Sequence, residues 1–145
     1  MEILHEPNPI LRKKAKKIKN PLDKEIQELI PQMIETMRAA KGLGLAAPQI
    51  GKSIRLCVIE ESGILYVLIN PQIKSTSMEK IITEEGCLSV PGKWIPIERS
   101  DEIKVRYLNE KGEKCKIKAR GLLARAFQHE IDHLNGILII DKKQK

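Results

Sequence analysis

The chain has 145 residues, 41% of them hydrophobic, and 26 Lys and Arg against 19 Asp and Glu give it a formal charge of +7. That length supports one domain, residues 1–145, with a real core, and the hydrophobic share excludes intrinsic disorder. No apolar run approaches the roughly 20 residues of a membrane span, and Met1-Glu2-Ile3-Leu4-His5 lacks the basic region and apolar core of a signal peptide.

A cytoplasmic protein with no membrane partner is therefore expected. The positive charge suits a nucleic-acid partner, but no nucleic-acid motif is visible, and a single Trp and a single Phe make a poor stacking platform. The basic residues read as a solvated surface, with no specific nucleic acid expected.

Residues 1–20 read as an irregular basic arm, because Pro7 and Pro9 oppose an early helix. From residue 23 to 40 the pattern turns helical: Ile26, Leu29, Ile30, Met33, Ile34 and Met37 follow the spacing of an amphipathic helix. Pro31 is expected to kink or split it. Gly42 then ends the helix as a left-handed cap, and the small residues up to Gly51 let the backbone approach something closely. No Gly-Lys-Ser/Thr follows, so a phosphate loop is not supported. Gln49, behind the stiff Pro48, stands out as a side-chain donor.

Residues 54–60 and 64–70 read as two strands joined through Ser62 and Gly63, with Cys57 a buried, inert thiol. Asn70-Pro71 is expected to turn the chain, with weaker strand character up to Ile82. Cys87 lies among glycine and proline breakers. Cys115, by contrast, alternates with lysines as a core-facing strand residue does. The three cysteines form neither a disulfide framework nor a Cys-x-x-Cys pair. Residues 102–108 and 113–119 form a hairpin about Asn109-Glu110-Lys111-Gly112. Residues 137–140 are expected to pack and the lysine tail to fray.

The chemistry concentrates in Gln128-His129-Glu130-Ile131-Asp132-His133. Histidines four apart lie on one helix face and can both reach one metal ion, and the adjacent carboxylate can serve as general base and acid. A helix is supported by apolar residues at Leu122, Leu123, Ala126, Phe127, Ile131 and Leu134, with Gly121 and Gly136 as its bounds. Catalytic sites of this kind take three protein ligands. Only twelve residues follow His133, and Asp141 is their sole plausible donor. The third ligand should come from upstream, with Cys87 the best candidate.

Three stretches, Gly42-Leu43-Gly44-Leu45-Ala46-Ala47-Pro48-Gln49, Glu85-Gly86-Cys87-Leu88-Ser89 and Gln128-His129-Glu130-Ile131-Asp132-His133, together resemble the signature motifs of peptide deformylase. The resemblance implies an enzyme that removes the N-formyl group from the initiator methionine of new polypeptides and releases formate. It implies an α+β fold: antiparallel sheets packed around a central C-terminal helix carrying the histidines, with an N-terminal helix.

By the same resemblance Cys87, His129 and His133 are the metal ligands and Glu130 the catalytic acid and base. Gln49 and the Leu88 backbone N–H stabilise the oxyanion, and Gly44 binds the extended substrate. Leu43, Leu122, Ala126 and His129 are candidate walls of the methionine pocket, and Arg99 steadies the substrate or the Cys87 loop. The implied metal is ferrous iron, with nickel, cobalt or zinc as substitutes. Nascent N-formylmethionyl peptides are the expected partner, with a transient ribosome contact. The sequence departs from many members by ending at Lys145, without their longer C-terminal extension, often a helix implicated in ribosome docking.

Two rivals are weighed. A metallopeptidase would need a downstream ligand, and a peptide-binding protein without turnover would not need every reactive residue.

Overall fold

A computed structural model describes residues 1–142. Helix α1 (Lys24–Ala39) is followed by strands β1 (Gly44–Ala46), β2 (Leu56–Glu61), β3 (Ile64–Thr76), β4 (Lys80–Cys87), β5 (Val90–Ser100), β6 (Glu102–Leu108) and β7 (Lys114–Arg120). Helix α2 (Gly121–Leu134) closes the set. Five strands form an antiparallel sheet in the order β1-β2-β3-β6-β7, and β4 and β5 form a second, two-stranded sheet.

The apolar run of β2 follows from helices on both faces of the main sheet. Leu56 and Val58 pack with Ile26, Leu29, Ile30, Met33 and Met37 of α1. Cys57 and Ile59 point the other way, to Ala124, Phe127, Ile131 and Leu134 of α2. Strand β6 splits likewise, Ile103 and Val105 facing α2 while its even-numbered side chains face away.

Several expectations are corrected. Helix α1 is one continuous helix and Pro31 does not split it. The lost hydrogen bond and ring clash cost about 3 kcal/mol. Burying five large apolar side chains, at about 1.5–3 kcal/mol each, outweighs that. The left-handed residue after α1 is Lys41 (φ 57°), not Gly42. Space is tight at Gly42, where a Cβ would meet Leu88 Cδ1 at 2.8 Å and the leucine side chain would have to turn aside.

Asn70 does not end its strand: β3 continues to Thr76 across shifts in register, with Asn70 at φ 52° and its side chain bonded to both backbone groups of Ile18. Cys87 is not in a loop but is the last residue of β4, which, with most of β5, the sequence pattern did not reveal. The N-terminal arm is irregular as expected, apart from a short 3-10 turn at Pro9–Arg12, and it is tied to the body of the protein. Leu11 is fully buried, and the backbone of Leu4 and Glu6 bonds Gln49 O and Ser89 O at 2.7 and 2.8 Å.

The hairpin β6–β7 and the packing of Leu138 and Ile139 match expectation. The end of the lysine tail, residues 143–145, lies outside the described residues. Gly136 (φ 73°) closes α2 against the arm, where any Cβ would lie 2.4 Å from Arg12 O.

Candidate functional site

Helix α2 presents three faces with different tasks. Ala124, Phe127, Ile131 and Leu134 bury it against the main sheet. A second stripe, Arg125, Gln128 and Asp132, fastens the two-stranded sheet. Arg125 donates to Ile81 O, Ile97 O and Thr83 Oγ1, and Gln128 exchanges two hydrogen bonds with the Ser100 backbone. Asp132 receives Arg99 of β5 at 2.6 Å. The third face carries Ala126, His129, Glu130 and His133. Docking the small sheet on α2 carries Cys87, at the tip of β4, to this third face.

Cys87, His129 and His133 each offer one ligand atom, and the three lie within 4.8 Å of one another. His133 turns Nε2 toward Cys87 Sγ at 3.2 Å. His129 gives Nδ1 to Glu85 at 3.1 Å, which leaves Nε2 as the free donor. Burial, and then the charge of His129, hold His133 well below its ordinary value, so it is a neutral imidazole and a competent ligand. Burial also opposes a proton on His129, but Glu130, Cys87 and Glu85 together outweigh it and push His129 up to about 10. Such surroundings favour positive charge. A thiolate, two imidazoles and an outer carboxylate on one imidazole are the donor set of a divalent transition-metal site, so the residues present suit the metal that the motif implies.

Glu130 is 4% exposed, with Oε1 buried and without a hydrogen-bond partner among the described residues. Burial drives its carboxyl up to about 7. Gln49 is fixed from both ends. Its Oε1 must face the Ala46 N–H, which can only donate, at 2.9 Å. The NH2 group is thereby aimed at Ser89 Oγ (3.1 Å) and Cys87 Sγ (3.9 Å). Leu88 opens the tight turn between β4 and β5.

These groups meet at a groove of about 530 Å³ lined by Leu43, Gly44, Gln49, Cys87, Leu88, Leu122, Ala126, His129 and Glu130, together with Trp94 and Arg125. Leu122, counted in the apolar stripe of its helix and also among the candidate pocket walls, is 55% exposed and lines the groove. Arg99 does not line the groove: its side chain is 2% exposed and engaged by Glu85, through two bonds of 2.8 and 2.9 Å, and by Asp132.

The sequence reading did not single out Glu85 or Arg125, and only the registration of β4 against α2 distinguishes them from other charged residues. Gly44 fits its place tightly. A Cβ would lie 2.6 Å from Glu130 Oε2, so Gly44→Ala should displace that carboxyl. We expect a fall of about 10²-fold in kcat with metal content unchanged, as steady-state kinetics and metal analysis on one sample would show.

Site chemistry of this kind belongs to metal-dependent hydrolases. The polypeptide deformylase family model matches residues 1–145. Peptide deformylase of Halothermothrix orenii is 52% identical over 93% of this chain and 88% of its own length. That of Thermodesulfovibrio yellowstonii is 48% identical over 98% and 88%. The crystal structure of peptide deformylase from Thermotoga maritima superposes with a TM-score of 0.96 at 44% identity, covering 99% of this chain and 97% of that one. A structure from Synechococcus elongatus in complex with actinonin gives 0.96 at 41% identity, covering 100% and 79%.

The chain belongs to the polypeptide deformylase family. It is a metal-dependent hydrolase that removes the N-formyl group from the N-terminal methionine of nascent peptides and releases formate.

Proposed function

We propose that residues 1–145 act as one catalytic domain in which Cys87, His129 and His133 hold ferrous iron, with zinc, nickel or cobalt able to substitute. The observation that carries this reading is the convergence of the three donors, Glu130 and the Gln49 amide at one end of the groove. When bound, the metal supplies Lewis acidity to the formyl carbonyl and the water beside it.

Glu130 takes a proton from the attacking water as its oxygen bonds to the formyl carbon. It returns that proton to the methionine nitrogen as the C–N bond breaks, leaving formate and a free amine. A carboxyl held near neutrality can work in both directions. Gln49 Nε2 and the Leu88 backbone N–H donate to the formyl oxygen as negative charge develops on it. Gly44 pairs with the extended peptide backbone, and Leu43, Leu122, Ala126 and His129 bound the methionine side chain. Arg99 steadies the strand carrying Cys87 by holding Glu85, instead of touching substrate.

No helix among the described residues is long and apolar enough to cross a membrane. The enzyme works in the cytoplasm, where nascent chains and a transient ribosome contact are available to it.

The test is formate release from formyl-Met-Ala-Ser by protein purified without oxygen, with metal determined on the same sample. Turnover with about one iron per chain is expected, together with loss of turnover on chelation and recovery on adding ferrous iron. Turnover carried by zinc alone would overturn the iron assignment. Absence of turnover with a filled site, or cleavage of internal peptides instead, would overturn the assigned roles.

A further inference from the structure

The face of the main sheet turned away from α2 is only half covered. Helix α1 packs over β2 and the start of β3, and Leu108 at the end of β6 reaches that cluster. Past this edge β6 and β7 present Lys104, Arg106, Lys116 and Lys118, and β3 adds Lys74. All five are exposed, and together they line a groove of about 390 Å³.

The ladder sets Lys104 opposite Lys118 and Arg106 opposite Lys116. Like charges directly opposite on one face destabilise a sheet. Lys118 is relieved by Glu102 at 3.1 Å, but Lys74, Lys104, Arg106 and Lys116 form no ion pair among the described residues. A concave surface of one sign concentrates its field and gathers counter-ions.

We propose that this groove binds the phosphate backbone of structured RNA without reading its bases. Cations repeat about every 6.6 Å along a strand and about 5 Å across it, a grid suited to successive phosphates. No aromatic side chain lines the groove, so it offers no platform on which bases could stack. Its two apolar lining residues are not exposed enough to insert into a bilayer: Val105 is 1% exposed and Ile117 is half-buried.

The three metal-ligand candidates and Glu130 stand on α2 and the second sheet, on the other side of the main sheet, and no residue of the basic groove lines the formyl-peptide groove, so RNA held here leaves that groove open. Nascent peptides are made beside exposed RNA, and such a contact would raise the local supply of substrate.

The experiment titrates the intact protein against a labelled RNA duplex of about 20 base pairs, between about 50 and 200 mM salt. It compares the wild type with Lys104→Gln/Arg106→Gln/Lys116→Gln. A control of equal charge, Lys13→Gln/Lys14→Gln/Lys17→Gln, alters the exposed N-terminal lysines. For five phosphate contacts the log–log salt slope should be about −4, and the groove variant should lose between two and three units of it. Its affinity should fall at least tenfold, with the control within about threefold of wild type. Formate release should be equal in all three, and the groove variant should melt no lower than wild type because like-charge repulsion is relieved.

Equal weakening by both variants would reduce the effect to net charge and overturn the proposal. So would tighter binding of the wild type to phosphatidylserine vesicles than to the duplex, or a groove variant that binds RNA as wild type does.

Discussion

Glu130→Gln is expected to lower formate release from a formyl-Met peptide by about 10³-fold while leaving metal content and melting temperature near those of wild type. The substitution keeps shape and volume at a site where both are constrained: Glu130 is 4% exposed, and its carboxyl occupies the space that a Cβ on Gly44 would take. What it removes is a proton acceptor. Burial raises Glu130 to about 7, against the opposing charges of His129 and Arg99. The group can thus take a proton from water and return it to the departing amine at neutral pH. An amide does neither. Stopped-time formate assays with metal analysis on the same samples check this, and a loss under tenfold would remove Glu130 from the chemistry.

Arg99→Leu should destabilise the fold by about 3 kcal/mol, because it takes from the largely covered carboxylates of Glu85 and Asp132 the guanidinium they share, leaving only the longer contacts of Arg125 at 3.5 Å and Lys142 at 3.6 Å. For a chain of this length that corresponds to a fall of about 10 °C or more in Tm. The comparison that isolates burial is Arg38→Met. Arg38 makes an equally bidentate pair with Glu60, at 3.0 and 2.6 Å, but its side chain is 55% exposed. Solvent screening leaves that pair little to contribute, so its loss should cost far less than that of Arg99. Chemical denaturation of both variants measures the contrast, and equal losses would contradict it.

Arg99→Leu should also weaken metal binding by about 10–100-fold. Glu85 orients His129 through Nδ1, and Arg99 holds Glu85 by two bonds. Competition with a chelating dye reads that loss independently of activity.

The covering of the main sheet explains which elements could be read from residue patterns. Strands with a buried and an exposed face, such as β6, announce themselves by alternation, and so does α1 with its apolar stripe. Strand β4 gives no such sign. Lys80, Ile81, Ile82, Thr83 and Glu84 are all exposed, with no alternation between faces. Its partner β5 contains Pro91, Gly92 and Pro96, residues that ordinarily end strands. This pair is held by side chains of α2 from 28 to 44 residues away in sequence, and no local pattern encodes that. The short β1 is invisible for a related reason: three residues, each fully buried, make a strand only because β2 lies alongside.

The sequence by itself determined which candidate donor and acid–base groups lie together on one helix, because that depends on residue type and on spacing within one helical turn. Histidines at 129 and 133 share a face in any α-helix, and the carboxylate of Glu130 travels with them. Only the tertiary structure decided that Cys87 reaches those histidines, since that distance depends on docking one sheet against one helix through Arg99, Arg125, Gln128 and Asp132. The same holds for the basic residues on β3, β6 and β7. Their number is plain in the chain, but their assembly in one groove follows from cross-strand register and from where α1 stops.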